Sequence, residues 1–369
     1  TTAQVGTLST AQVQVIGTSA VAAMTTTQVA TLSTAQVAVL TTGQVSVLTA
    51  NEVKALSTGQ VQALSTSQVN ALTNANVSAL TTGQVNALTT AQVNALTSSA
   101  VTALGTAQVQ ALSTGQVQAI TTANVTALSS TQVAALTTDQ VSVLSTSQVV
   151  ALETSDIAAL STGQVAALTT AHVNVLSTAS VGVMNTAQVA ALTTAQVQAL
   201  TTANVASLST SQLQVLSSDQ VAAFSTAQVS ALTTTEAATL SAGQARALTT
   251  AQVQVLNTSN LQALKLASVE AMTSTQLQVL STTQLNALET EDFASLTDTQ
   301  IKALTTAQVQ ALTTSAITSL SGDQVSKFTT AQVAVVTTTN VAALSADQVA
   351  AMTTAQVGTL STAQVQVIG

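Results

Sequence analysis

His172 is the one histidine in a 369-residue chain that has no cysteine. An imidazole serves as a general base or metal ligand only beside partner groups. With no second His and no Cys, neither a zinc set nor a nucleophile–base pair can be assembled. The other candidate chemistry is acidic. Glu289, Glu291 and Asp292 form the densest charge in the chain, with Asp298 close behind. Three carboxylates could hold Ca²⁺ through oxygen ligands. The competing reading is a helix start, where the dipole favours acids. His172 stands where most equivalent positions carry Gln, so it is expected to be an exposed substitute for that Gln. No Gly-rich phosphate loop is present; Gly43, Gly59 and Gly83 occur singly. The sequence therefore assigns no catalytic residue, no cofactor, no cofactor-binding residue and no metal site, and the chain is expected not to be an enzyme.

What would have to position any site is an eight-residue repeat. From Thr1 to Ile368 the chain reads as 46 consecutive octads of the form T-T-A-Q-V-x-A-L, without insertion or deletion. Such a fixed short period implies stacked units, each touching only its neighbours. Octad positions are numbered here 1 to 8 from Thr1. Positions 5 and 8 are apolar in every copy, so they are the expected core; position 7 is mostly Ala or Val, which suits a close contact. Position 1 is Thr, Ser, Asn or Gly except at Glu153, Lys265 and Glu289. That residue set is preferred at a helix N-cap. Gln at position 4 completes a capping box, and the apolar residues at the preceding position 8 and at position 5 form a hydrophobic staple.

The rare charges agree. Twelve of thirteen acids lie at positions 1 to 4, and four of five bases (Lys54, Arg246, Lys302, Lys327) lie at positions 6 or 7. A helix dipole favours that polarity; a strand does not impose it. Each octad is thus expected to be a cap followed by one short helix. Helices this short cannot stand alone. The expected fold is an all-α repeat solenoid, with positions 5, 7 and 8 inside and Thr, Ser and Gln outside. A β-solenoid is the rival, since Thr and Val favour strands. Against it, Leu at position 8 breaks the alternation after Ala at position 7, and turn residues are sparse: 13 Gly and no Pro. A single long helix is disfavoured by apolar spacings of 3 and 5.

Two stretches depart from the pattern. Thr233–Leu248 carries Ala237 and Ala245 at position 5, the least-filled core positions. Lys265–Met272 loses the cap hydroxyl and puts Leu266 at position 2, making it the most degenerate octad and a candidate junction or contact point. On a larger scale, residues 353–369 repeat residues 1–17 without a change. The expectation is one continuous array over 1–369, a segment of a longer protein with a 352-residue super-repeat.

Composition narrows the partners. The net charge is −8 with only five Lys and Arg. That removes the electrostatic basis for nucleic-acid binding and for a basic membrane-surface helix. Thr, Ser and Gln interrupt every octad, so no apolar run reaches the roughly 18 residues of a membrane span. Mean hydropathy of +0.48 and 5% charged residues do not fit ordinary disorder.

The repeat resembles the octapeptide arrays of giant bacterial surface and extracellular proteins, described as adhesin-like or haem-utilisation/adhesion-like. The resemblance covers the whole chain through copies such as TTAQVQAL at 193–200 and 305–312. It implies a stalk or fibre and transfers no functional residue. The expected function is structural: an extracellular or cell-surface bacterial filament, sheath or adhesin stalk, self-associating end to end or laterally. The alternative is a module binding ice or polysaccharide through its Thr and Ser rows.

Overall fold

A computed structural model describes residues 1–368. Among them lie 46 α-helices, one per octad, and no strand. The β-solenoid alternative is therefore set aside. The helices are numbered in chain order from α1 (Thr2–Gly6) to α46 (Thr362–Gln366). They are four to six residues long, as in Thr234–Ala237 and Thr82–Ala87. The chain groups into two units, Thr1–Ala191 and the residues from Leu192 on. Each unit is an all-α repeat solenoid built by the same local rules.

Local rules first. Wherever Ser, Thr or Asn at position 1 meets Gln at position 4, the capping box closes in both directions. In α12 (Thr90–Ala95), the Gln92 backbone N–H donates to Thr89 Oγ1 at 3.1 Å, and the Thr89 N–H donates to Gln92 Oε1 at 2.7 Å. The helix ends as promptly as it starts. Leu96 closes it by donating to the Val93 carbonyl at 3.2 Å, and its own backbone is extended at ψ 138°. The next residue, Thr97, is extended too, at ψ 157°. Two extended residues, positions 8 and 1, thus turn each corner. No residue with positive φ is used among those described. A corner made this way needs neither Gly nor Pro, which is why so turn-poor a sequence can turn so often.

Packing then relates octads three apart. In the first unit, α8 (Thr58–Ala63) packs on α5 (Thr34–Ala38) and α11 (Thr82–Ala87); in the second, α38 (Asp298–Ala303) packs on α35 (Ser274–Gln278) and α41 (Gly322–Lys327). Position 5 is buried in every octad from Val13 to Val341, and position 8 from Leu32 to Val336. Each unit thus has a continuous apolar interior fed by two residues per octad. A side chain of that size contributes about 1.5–3 kcal/mol when fully buried.

Candidate functional site: the buried position-4 ladder

The most ordered polar feature of the molecule is position 4, and here the structure corrects the sequence reading. Gln was expected outside. Instead, position 4 is buried in every octad from Gln36 to Gln364. The physical reason is the shortness of the helices. A helix of five or six residues leaves most of its carbonyls without an internal partner. Carbonyls turned into an interior must find donors. The Gln amide supplies them, because it can accept at one end and donate twice at the other.

Gln92 shows the arrangement. Its Oε1 accepts the Thr89 N–H of its own octad. Its Nε2 donates to the Val61 carbonyl at 3.0 Å and the Leu64 carbonyl at 2.6 Å, 31 and 28 residues earlier. Gln308 repeats this in the second unit, donating to Leu277 and Leu280 at 2.8 Å each. One side chain therefore fixes its own helix start and latches it to two carbonyls of the turn before, that of position 8 and that of position 5, which also accepts the position-8 N–H. The latch also measures the coil: 28 residues is three and a half octads, and hydroxyl and amide contacts at 25 and 26 residues bracket it from below. A turn holds a little over three octads.

His172 is part of this ladder and is 3% exposed, not the surface residue expected. Its Nδ1 accepts the Thr169 N–H at 3.2 Å, and its Nε2 faces the Leu144 carbonyl at 2.6 Å. The partners assign the proton to Nε2. Histidine thus imitates glutamine, with one carbonyl bond in place of two. Ser268 does likewise with a hydroxyl, donating to the Leu240 carbonyl at 2.7 Å.

The acidic cluster does not come together as a ligand set. Asp292 occupies position 4 and is buried; Glu289 and Glu291 are exposed beside it. Asp292 Oδ2 accepts the Glu289 N–H at 2.9 Å. Burial pushes the Asp292 carboxyl above the ordinary carboxylate range, with repulsion from Glu289, Glu291 and Glu270 adding to it and the backbone hydrogen bond opposing it. Among the described residues no group of three potential ligands is poised for a metal ion. Asp298 instead makes an exposed ion pair with Lys327 at 3.3 Å, worth at most about 1 kcal/mol.

The two irregular stretches are also resolved. Ala237 and Ala245 are fully buried, at 0% and 1% exposure. Helix α30 (Thr234–Ala237) packs on α27 (Thr210–Gln214) and α33 (Thr258–Gln262), whose position-5 residues are Leu213 and Leu261. Leucine at position 5 occurs only at 213, 261, 277 and 285. Larger neighbours thus flank the smaller residue. At Lys265 the cap bond is missing, yet the backbone keeps the cap conformation at ψ 148°; Leu266 remains 42% exposed.

One signal in the sequence was missed. The residues at position 4 that are not Gln are Ala20, Glu52, Asn76, Ala100, Asn124, Asp156 and Ser180 in the first unit, and Asn204, Glu236, Asn260, Asp292, Ala316 and Asn340 in the second, apart from His172 and Ser268. Successive members are 24 or 32 residues apart, eight steps of the first and four of the second. That averages about 27 residues, within the 25 to 31 residues spanned by turn-to-turn bonds. The turn length was thus written in the substitutions of the ladder.

Short helices, a two-residue apolar interior and a turn-to-turn amide ladder define a repeat solenoid whose polar side chains serve its own backbone. The chain belongs to the ALTTAQ repeat family, whose repeat matches residues 1–34, 21–50, 51–82, 77–114, 85–122, 112–146, 149–183, 173–202, 202–234, 285–321 and 325–362. Residues 235–284, which contain Ala237, Ala245 and the Lys265 octad, fall outside those matches. Among curated proteins none matches the chain.

Proposed function

We propose that this chain is a structural element of an extracellular or cell-surface bacterial filament, sheath or adhesin stalk, associating with itself. The observation that carries the reading is the ladder. In most octads a buried amide is used up holding the previous turn, so length is added without any new tertiary solution. Function is then a matter of reach and mechanical continuity. The scarcity of Lys and Arg supports an exposed setting, since it leaves trypsin-like proteases five cleavage points in 369 residues. A non-catalytic role fits the only imidazole, whose two nitrogens both serve the backbone.

Among the described residues no helix is long and apolar enough to cross a membrane. Position-1 hydroxyls are engaged in caps, which weakens the ice- or polysaccharide-binding alternative as far as that row is concerned. Electron microscopy of the purified native material tests the proposal. Filaments or extended rods are expected, and compact globules would overturn it.

A further inference from the structure

The ladder is uneven around the coil. Gln on the regular part of the ladder donates to two or more carbonyls of the turn beneath, as Gln84, Gln108 and Gln116 do in the first unit and Gln276, Gln324 and Gln332 in the second. The residues on the 24-and-32 line do less. Asn76, Asn124, Asn260 and Asn340 are one methylene shorter and reach only the carbonyl 28 residues back. Ala100 and Ala316 have no side-chain donor. At Glu236 and Asp292 a carboxylate faces the place where Gln would offer N–H groups, and Glu236 Oε1 is buried without a partner. Asn124 and Asn340 recover one part-buried bond each, from Ser98 and Thr314. All four acids at position 4 (Glu52, Asp156, Glu236, Asp292) lie on this line, and none lies off it.

Because steps of 24 and 32 residues alternate around the true turn length, the line stays above itself from turn to turn. The missing latches therefore add up on one side of each unit instead of being spread around it. We propose that this line is a hinge seam: turns separate first along it while the rest of the circumference stays latched, so each unit bends most easily with the seam on the outside of the curve. A net hydrogen bond is a modest contribution, but here one or two are absent on the same side at Asn76, Ala100 and Asn124 in the first unit and at Asn260, Ala316 and Asn340 in the second. The inference concerns the solenoid itself and stands whether or not the chain assembles into filaments.

Hydrogen–deuterium exchange of the full chain tests it. Amides of α10 (Asn74–Ala79), α13 (Ser98–Thr102) and α16 (Thr122–Thr126), on the seam, should exchange about fivefold faster than those of α11, α12 and α15 (Thr114–Ala119), the effect of about one net hydrogen bond. Asn76→Gln with Asn124→Gln should slow the seam amides and raise the melting temperature. Gln92→Asn with Gln116→Asn should create fast exchange where there was none. In particle images sorted by curvature, the seam should lie on the convex side. Equal exchange on and off the line would overturn the proposal. So would a lower melting temperature in the Asn→Gln variant, which would mean the line is set by a lack of space for Gln.

Discussion

Residues 81–96 and residues 233–272 show the same fold written in two ways. The first reads TTGQVNAL-TTAQVNAL, with cap, box, Val and Leu all in place. The second loses Val three times, at Ala237, Ala245 and Leu261, loses Gln at Glu236, Asn260 and Ser268, and loses a cap at Lys265. Yet the second stretch keeps one helix per octad and the same burial of positions 4, 5 and 8. The contrast teaches where the fold keeps its information. A single octad may be degraded at almost any position, because its backbone path is imposed by turns above and below. What neither region changes is the count of eight.

The sharpest way to break the comparison is therefore to change the count. One Ala inserted between Leu88 and Thr89 would put Gln92, Gln108 and Gln116 out of register with carbonyls on the far side of the insertion. A loss above about 4 kcal/mol is expected, beyond any single substitution here, visible as a lower or split melting transition by circular dichroism. An unchanged melt would show that register is not the constraint.

Next come the core positions. Val85→Ala in the regular region should cost about 2 kcal/mol through the cavity it leaves. Ala237→Val, which restores the consensus in the irregular region, should also destabilise, by about 1–3 kcal/mol, because Leu213 and Leu261 already fill the space. Adding Leu213→Val and Leu261→Val should recover the loss. If Ala237→Val stabilises by itself, the flanking leucines do not compensate.

Gln92→Ala is expected to cost about 2 kcal/mol, since it removes the donor to the Leu64 carbonyl, a second donor to the Val61 carbonyl and the acceptor of a cap N–H. Lys265→Ser, by contrast, should add about 1 kcal/mol by supplying the absent cap; denaturation midpoints of the two variants should move in opposite directions. The smallest effect is at Asp292. Its carboxyl is raised above the ordinary 3.8, so the charged form opposes folding. The parent's stability should be fullest below that pH and fall as pH rises through the raised value. Asp292→Asn should lack that decline, and parallel pH profiles for the two proteins would refute the assignment.

Most of this fold was legible in the sequence. Cap, box and staple are local devices, and Thr89, Gln92 and Val93 carry their roles within four residues of one another. The placement of position 4 was not legible in the same way. A capping-box Gln uses one end of its amide locally, and nothing local says where the other end points; the partners of Gln92 lie 28 and 31 residues away. His172 was misplaced for the same reason. The coil length could have been found, because only a turn-length constraint spaces the non-Gln residues by 24 and 32. It was overlooked since each substitution, taken alone, resembles drift.

The 28-residue latch has a consequence for how such a chain comes into being. No hydrogen bond between turns described above spans more than 31 residues. Contacts stay near in sequence however many octads follow, so the relative contact order falls as the array lengthens. At a synthesis rate of about 5–20 residues per second, each new turn meets its finished predecessor within a few seconds. A protein of this design need not search for its ending before it can settle its beginning.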